Sequence, residues 1–248
     1  MEHISFRNPR GLSLSGAYYP AKSDQGILIS HGFTSNKDRA HFVQLAEQLN
    51  KAGFSVLRFD FSGCGESDAA SITVAGEVDD LKSAMEWMRK KGHSTLGLYG
   101  SSLGGLVSLK AYSPDVKAIV LWAPVTDNKK PSTEIGTIGD IDKAYEDQGH
   151  FVLQKEDGRE FRISKEYFDE RAAVDQEELL APIRCPVLIL HGDADKTVPL
   201  EGSKKAIKRL SKGCELGIIA GAGHRFADNK ADLKKMIARS VEWFKEYL

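Results

Sequence analysis

One serine in this chain stands in a pattern typical of nucleophilic catalysis. Residues 100–104 read G-S-S-L-G, which places Ser102 at the centre of a G-x-S-x-G motif between an apolar run at 96–99 and a helical stretch at 106–112. At such a strand-to-helix turn, a strained backbone exposes the serine Oγ, and a Cβ at either glycine would collide with the neighbouring strand or helix. Gly and Ser are common residues, so other loops must support the assignment of Ser102 as a nucleophile.

A serine hydroxyl also needs a general base and an acid group that orients that base. The best-placed base is His224, in the G-A-G-H segment at 221–224, after the last apolar run and before the final helical pattern. Two acid candidates, Asp193 and Asp195, lie in H-G-D-A-D at 191–195. The order Ser, Asp, His is typical of α/β hydrolases rather than of chymotrypsin-like or subtilisin-like enzymes. The three loops together predict a catalytic triad.

These side chains must be positioned by elements that alternate along the chain. Residues 4–19 alternate weakly and break at N-P-R-G (8–11), which predicts a β-hairpin. Short apolar runs predict strands at 26–30, 55–61, 96–99, 116–123, 186–190 and 216–220. Helical spacing of apolar residues predicts helices at 42–49, 78–88, 106–112 and 233–244, the last capped by Asp228 or Asn229. Such alternation predicts an α/β fold with a mostly parallel central sheet flanked by helices.

A polar insertion at residues 127–181 breaks this alternation. Within it, F-V-L-Q (151–154) and F-R-I (161–163) flank the turn signal E-D-G (156–158), which predicts a small hairpin. Since functional loops of α/β folds gather at the carboxyl edge of the sheet, we expect a short lid there, on a single domain spanning 1–248. The insertion contains four aromatic residues of interest: Tyr145, Phe151, Phe161 and Tyr167. We expect them either to contact an aromatic acyl group of the substrate or to pack the lid onto the core.

A second loop is predicted to complete an oxyanion hole. H-G-F at 31–33 follows the strand at 26–30, so the backbone N–H of Phe33 is expected to pair with that of Leu103, the residue after the nucleophile. The His31 imidazole is interpreted as a structural support of this turn. The G-x-G at 63–65 lacks the full G-x-G-x-x-G pattern and a following helix start, so a tight pocket-lining loop is favoured over a dinucleotide site.

Five motifs together resemble the α/β-hydrolase superfamily: H-G-F (31–33), D-F-S-G-C-G-E-S (60–67), G-S-S-L-G (100–104), H-G-D-A-D-K-T-V-P (191–199) and G-H (223–224). The resemblance covers nearly the whole chain and is closest to serine esterases that include bacterial cinnamoyl and feruloyl esterases. It implies that the triad acid is the last carboxylate of its motif, Asp195, with Asp193 as a turn residue. One departure is S-G-C-G at 62–65, where many relatives carry R-G-H-G.

Composition excludes several other classes of protein. The 248 residues and 41% hydrophobic content fit one domain, and the formal net charge of −1 predicts no nucleic-acid or membrane partner. The N-terminus lacks a signal-peptide pattern, and no apolar run approaches the ~20 residues of a membrane span. Three cysteines without a C-x-x-C pair fit a cytoplasmic protein. No metal-ligand spacing such as H-E-x-x-H occurs, so neither a metal nor another cofactor is expected.

The sequence therefore predicts a carboxylic-ester hydrolase with Ser102 as nucleophile, His224 as base and Asp195 as acid. The expected partner is a small-molecule ester of the hydroxycinnamoyl (feruloyl-type) class or another small acyl ester, and a homodimer is an open alternative. The same triad serves acylglycerol lipases, thioesterases and serine aminopeptidases. A catalytically silent ligand-binding protein is the alternative of a different class, and serine at position 102 excludes an aspartate-nucleophile dehalogenase.

Overall fold

An eight-stranded sheet forms the centre of the fold in the computed structural model, which describes residues 1–128 and 149–248. Its strands are β1 Glu2–Arg7, β2 Ser13–Tyr19, β3 Gln25–Ser30, β4 Ser55–Phe59, β5 Thr95–Ser101, β6 Val116–Trp122, β9 Val187–Gly192 and β10 Glu215–Ile219. Their spatial order is β1-β2-β4-β3-β5-β6-β9-β10. The β1–β2 and β2–β4 pairs are antiparallel and the other five are parallel, which confirms the mostly parallel sheet.

Helices cover both faces of this sheet. The described helices are α1 Ala40–Lys51, α2 Val74–Lys90, α3 Leu103–Lys110, α4 Lys165–Ala172, α5 Gln176–Leu180, α6 Leu200–Arg209 and α7 Lys230–Tyr247. Apolar residues of α2 and α3 pack on one face of the sheet, and those of α1 and α7 pack on the other. Within the described ranges, none of these helices combines the length and apolar character that a bilayer crossing requires.

Strand β3 illustrates why the core has two halves. Successive side chains of a strand point to opposite faces, so Leu28 joins the α2 and α3 side while Ile27 and Ile29 join the α1 and α7 side. All three residues are at most 1% exposed. A strand buried on both faces consists mostly of consecutive apolar residues, which is why this strand was predictable from the sequence.

Two element boundaries are sharper in the structure than in the sequence pattern. The predicted strand 55–61 ends at Phe59; beyond it, Phe61 N donates to His31 Nε2 and the Asp60 side chain accepts from Lys37 N, both in the loop after β3. Of the two predicted caps of the last helix, Asn229 is the one used: its side chain accepts hydrogen bonds from Ala231 N (2.9 Å) and Asp232 N (3.3 Å).

The hairpin predicted inside the insertion is present. Strands β7 His150–Gln154 and β8 Glu160–Ser164 pair antiparallel, and the turn between them is closed by a hydrogen bond from Lys155 N to Arg159 O (2.8 Å). Gly158 adopts φ +81° in that turn, a conformation that glycine accepts without strain. The remainder of the insertion, residues 129–148 with Tyr145, lies outside the described residues.

Candidate active site

Ser102 occupies the turn between β5 and α3 in a strained conformation, with φ 54° and ψ −115°. A non-glycine residue in such a region costs about 1–3 kcal/mol and persists only where its surroundings enforce it. Here the enforcement comes from the end of β6 and the residues after it: Ser102 N donates to Trp122 O (2.9 Å), and Val125 N donates to Ser102 O (3.0 Å). The sequence pattern at 100–104 predicted this sharp turn.

The glycines on either side of Ser102 are required by close packing. A Cβ at Gly100 would lie 2.4 Å from Gly104 O, which belongs to the helix that the turn begins. A Cβ at Gly104 would lie 2.4 Å from His31 O and 2.5 Å from Ser30 O, at the end of β3. Real Cβ atoms do not approach backbone oxygens this closely, so only glycine lets α3 start directly beside the β3 loop.

The structure brings Ser102, His224 and Asp195 into one hydrogen-bonded chain. His224 Nε2 lies 3.1 Å from Ser102 Oγ, and His224 Nδ1 lies 2.7 Å from Asp195 Oδ2. Because an ionised carboxylate only accepts hydrogen bonds, Nδ1 carries the ring proton and Nε2 of the neutral ring accepts from the serine hydroxyl. The imidazole thus has the tautomer that can remove a proton from Ser102. The three residues follow β5, β9 and β10, all at the same edge of the sheet.

Asp195 is held as a carboxylate by its surroundings. Its side chain is fully buried, and burial alone would raise its pKa, but hydrogen bonds from His191, His224 and the backbone of Val198 lower that pKa well below its ordinary value. The other carboxylate oxygen accepts from Thr197 N (2.8 Å) and Val198 N (2.9 Å). These contacts fix the direction in which the charged group faces His224.

His191 supports Asp195 from behind. Its Nε2 lies 2.9 Å from Val198 O and 3.3 Å from Asp195 Oδ2, two acceptors, so this nitrogen carries the proton. Its Nδ1 lies 2.8 Å from Ser203 Oγ, whose hydroxyl therefore donates. The histidine in the H-G-D-A-D segment is a neighbour of the triad acid, a role that the sequence pattern did not reveal.

Asp193 has a different role from Asp195. It is exposed, and its Oδ1 accepts a hydrogen bond from Gly221 N (2.6 Å). That bond joins the loop after β9 to the turn after β10, three residues before His224. Of the two acid candidates, Asp195 is therefore the one that contacts the His224 imidazole, whereas Asp193 is hydrogen-bonded to the loop that carries His224.

The sequence predicts two backbone N–H groups as oxyanion donors, those of Phe33 and Leu103. A Cβ at Gly32 would lie 3.3 Å from Ser102 Cβ, so the loop that carries Phe33 packs directly on the serine. Leu103 is the first residue of α3, where a helix leaves its N–H groups unpaired. Within the described residues, neither the Phe33 N–H nor the Leu103 N–H donates to a protein acceptor. Both are available to a negatively charged oxygen.

The His31 imidazole supports this loop as interpreted from the sequence. It is buried, its Nε2 accepts a hydrogen bond from Phe61 N (3.1 Å), and its Nδ1 donates to Gly32 O (2.8 Å). Burial lowers the pKa of His31, although the Gly32 contact and nearby acidic groups act in the opposite direction. A neutral ring is what the Phe61 contact requires, since a protonated Nε2 could not accept.

An ion cluster around the buried Lys37, in the loops that follow β3 and β4, was not predicted. The Lys37 ammonium is fully buried and lies 3.0 Å from Asp60 Oδ2 and 2.6 Å from Glu66 Oε2. The Asp60 carboxylate also accepts hydrogen bonds from Lys37 N (2.6 Å) and Glu66 N (2.9 Å), so it links the loop after β3 to the loop after β4. Burial opposes the charge of Lys37, but its carboxylate contacts win and raise its pKa above the ordinary value. A long-range pairing of this kind leaves no periodic signal in a sequence.

The predicted lid aromatics fall into two groups. Phe161 is 4% exposed and belongs to the core cluster shared with α2 and α3, while Phe151 packs partly buried against that cluster. Tyr167, on α4, is 3% exposed, and its ring stacks on that of Phe33 with centroids 4.9 Å apart and planes 21° apart. Tyr145 lies outside the described residues.

Across residues 1–128 and 149–248, no group of three His, Cys, Asp or Glu side chains could hold a metal ion.

The mostly parallel sheet, its flanking helices and the turn at Ser102 define an α/β hydrolase. Solved structures agree: the mouse α/β-hydrolase domain-containing protein 10 superposes with a TM-score of 0.78 at 24% identity, covering 99% of each chain. Est1E from Butyrivibrio proteoclasticus, solved with ferulic acid bound, has the same TM-score at 24% identity, covering 98% of each chain.

Sequence comparison identifies the family. The chain belongs to the prolyl oligopeptidase family, whose model matches residues 40–248. It is 31% identical to human protein ABHD12B over 186 residues, which are 72% of this chain and 48% of that protein. It is 28% identical to the mouse mitochondrial palmitoyl-protein thioesterase ABHD10 over 218 residues, which are 86% of this chain and 72% of that protein. The chain is thus a hydrolase of the α/β serine-hydrolase class.

Proposed function

We propose that this chain is a carboxylic-ester hydrolase that works through an acyl-enzyme on Ser102. The observation that carries the proposal is the continuous hydrogen-bonded chain from Ser102 Oγ to His224 to the buried Asp195. Serine is a weak nucleophile by itself, and this arrangement gives it a base of the required tautomer with a fixed negative charge behind it.

The reaction follows from this geometry in two halves. Ser102 Oγ attacks the acyl carbon while His224 Nε2 takes the hydroxyl proton, and Asp195 stabilises the imidazolium that forms. The N–H groups of Phe33 and Leu103 bind the oxyanion, and His224 then gives its proton to the leaving alcohol. A water molecule repeats the sequence on the acyl-enzyme, giving its proton to His224 and releasing the acid and the free serine.

Replacing Ser102 tests the nucleophile. Ser102→Ala is expected to lower kcat for a p-nitrophenyl ester by at least about 10³-fold, because the covalent route is lost. A fluorophosphonate should label the wild-type protein on the peptide that contains Ser102 and leave the variant unlabelled, as read by mass spectrometry. Turnover by the variant near the wild-type rate, or labelling elsewhere, contradicts the proposal; a silent ligand-binding protein would not react at all.

The two aspartates form a matched pair for testing the acid. Asp195→Asn removes the charge behind His224 and is expected to lower kcat by about 10³- to 10⁴-fold, as in other triads of this kind. Asp193→Asn keeps an oxygen that can accept from Gly221 N, so a change of less than about threefold is expected. If Asp193→Asn is the crippling change, the assignment of the acid is wrong.

For the substrate, we propose a hydroxycinnamoyl or other small acyl ester. Phe33 and Tyr167 place aromatic rings beside the loop that packs on Ser102, and Est1E, which shares the fold, binds ferulic acid. A panel of acetyl, longer aliphatic, cinnamoyl and feruloyl esters tests this. A kcat/KM at least tenfold higher for the hydroxycinnamoyl esters supports the narrower substrate, whereas a preference for short aliphatic chains leaves a general carboxylesterase.

A thioesterase is the second candidate, because mouse ABHD10, a palmitoyl-protein thioesterase, is similar over 86% of this chain. Both reactions use the same acyl-enzyme, so the leaving group decides between them. Matched oxygen and thiol esters of one acyl group should be compared by kcat/KM. A preference for the thiol ester beyond its higher intrinsic reactivity, measured with hydroxide alone, favours the thioesterase.

We further propose that residues 1–248 form one domain with 127–181 as its lid. Seven described residues of the insertion are buried in the core cluster that α2 and α3 share: Leu153, Phe161, Ile163, Tyr167, Val174, Leu179 and Leu180. One cooperative unfolding transition, coincident by fluorescence and circular dichroism, is expected. We also propose a small-molecule ester as the partner and a cytoplasmic location. Light scattering distinguishes a monomer from a homodimer.

A further inference from the structure

The described part of the insertion is attached to the core through backbone hydrogen bonds. Ile72, just before α2, lies beside β8: Ile72 N donates to Arg162 O (2.8 Å), and Ser164 N donates to Ile72 O (3.2 Å). Both the backbone N–H and the backbone C=O of Ile72 are hydrogen-bonded to β8, as in a pair of strands. The hairpin is therefore joined to the core in a fixed register.

A second attachment follows one helix further along. The Glu170 carboxylate, on α4, accepts hydrogen bonds from Val74 N (2.6 Å) and Ala75 N (3.2 Å), the first two residues of the 17-residue helix α2. Thr73 supplies the local cap by accepting from Gly76 N (2.9 Å). A negative charge at the N-terminus of a helix is favourable both for its hydrogen bonds and for the helix dipole. Helix α4 is thereby fixed against α2.

Between these two attachments lies Tyr167, one helical turn before Glu170. Its ring is buried and stacks on the half-buried ring of Phe33 at 4.9 Å. Phe33 follows Gly32, whose backbone packs on Ser102, so the ring that Tyr167 contacts belongs to the residue whose N–H is predicted to bind the oxyanion. The described part of the lid thus contacts the loop beside the serine through this aromatic stack.

We propose that Tyr167 is a positioning residue for the oxyanion hole: its ring holds Phe33 so that the Phe33 N–H faces the oxygen of the tetrahedral intermediate. This inference rests on the proposed function of Ser102. Glu170 and the Ile72 backbone hold Tyr167 in turn. Through Tyr167, helix α4 then helps to set the geometry of the oxyanion hole.

The expected effect is set by what one oxyanion donor contributes. Complete loss of a donor lowers kcat by about 10²- to 10³-fold, and a donor that remains but is misaligned loses part of this. Tyr167→Leu keeps an apolar side chain but removes the stacked ring, and is expected to lower kcat for p-nitrophenyl acetate about tenfold with KM changed less than twofold. Tyr167→Phe keeps the ring and should restore kcat to within about twofold of wild type.

The acetyl ester separates positioning from pocket lining. Its acyl group is the smallest available, so a residue that only contacts the acyl chain affects KM for longer esters and leaves acetate turnover unchanged. Phe161→Leu is the matched control, because it shortens a buried aromatic of the same insertion without altering the Phe33–Tyr167 stack. It is expected to lower the melting temperature and to keep kcat for acetate.

A trifluoromethyl ketone provides a readout that a structural role would not move. Ser102 Oγ adds to its carbonyl carbon, the hydroxyl proton passes to His224, and the resulting oxyanion sits where the N–H donors point. The inhibition constant is expected to rise with Tyr167→Leu by the same factor as kcat/KM falls, and to return with Tyr167→Phe. Unchanged inhibition and unchanged acetate kcat in a folded Tyr167→Leu variant overturn the inference.

The serine variant distinguishes the two proposals. If Ser102→Ala retains turnover, the proposed function fails whatever Tyr167 does. If Ser102→Ala is inactive while Tyr167→Leu matches wild type in kcat and in inhibition, only the positioning role fails. Glu170→Ala, measured in the same way, is expected to lower kcat in the same direction by a smaller factor, since the Ile72 contacts still hold the insertion.

Discussion

Replacing Glu77 by glutamine is expected to remove a pH dependence of stability that the wild-type protein carries. Glu77 lies on the inner side of α2 and is 2% exposed, and neither of its carboxyl oxygens has a hydrogen-bond partner among the described residues. Burial raises the pKa of Glu77 well above its ordinary value of 4.5, and the negative charges of Asp80 and Glu170 raise it further. The folded protein therefore binds a proton that the unfolded chain releases.

The sign and size of the effect follow from this difference in proton binding. A group whose folded pKa is raised contributes fully below its unfolded pKa, and that contribution is lost as pH rises toward the folded pKa. Within this window the free energy of unfolding falls by up to about 1.4 kcal/mol per pH unit. One pH unit is therefore measurable against the 5–15 kcal/mol typical of a folded domain. Glutamine does not titrate, so the Glu77→Gln variant lacks this slope.

Urea unfolding at half-unit steps from pH 5 to pH 8 measures the slope directly. The quantity to plot is the difference in unfolding free energy between wild type and Glu77→Gln, since any constant cost of burying the amide cancels from the slope. Glu47→Gln, at an exposed position of α1, is the control and should run parallel to wild type. If Glu77→Gln also runs parallel to wild type over this range, Glu77 is ionised or hydrated in the folded protein and the reasoning is refuted.

Two further predictions concern stability. Lys37→Met leaves the fully buried Asp60 carboxylate without its ammonium partner and is expected to lower the free energy of unfolding by about 3–5 kcal/mol in urea titrations, whereas Lys22→Met, at an exposed position, should change it by less than about 0.5 kcal/mol. Asn229→Ala removes the side-chain cap of α7 and should cost about 1 kcal/mol, while the neighbouring Asp228→Ala should cost much less; equal losses at the two positions contradict the capping assignment.

The elements of the fold were predictable because their signals are local. A strand buried on both faces, such as β3, is a continuous apolar run, and a helix such as α7 shows a stripe of buried side chains and a capping residue. The strained turn at Ser102 was also predictable from the sequence, because glycines at positions 100 and 104 are needed where the helix begins beside another loop. The sequence pattern that predicts each of these features lies within a few consecutive residues.

The contacts between distant segments were not predictable in the same way. The ion pair of Lys37 with Asp60 spans 23 residues, and the cap that Glu170 supplies to Val74 N spans 96. A charged residue is predicted from the sequence to be solvent-exposed. Burial of a charge is favourable only when a partner neutralises it, and the sequence does not identify that partner. Glu77 was missed for the same reason. The choice of Asp195 over Asp193 came from the family pattern rather than from the residues alone.

The separation of the triad along the chain has a consequence for how the protein folds. The contact between His224 and Ser102 closes a loop of 122 residues, and the strands that carry the triad pair in parallel through long crossovers. Pairing of distant segments is slow, because the entropy of loop closure is lost before the contacts form. The bond between serine and histidine therefore belongs to the last stages of refolding. If Ser102 is the nucleophile proposed above, recovery of its labelling by a fluorophosphonate should lag behind recovery of helical circular dichroism, so that labelling reports complete assembly.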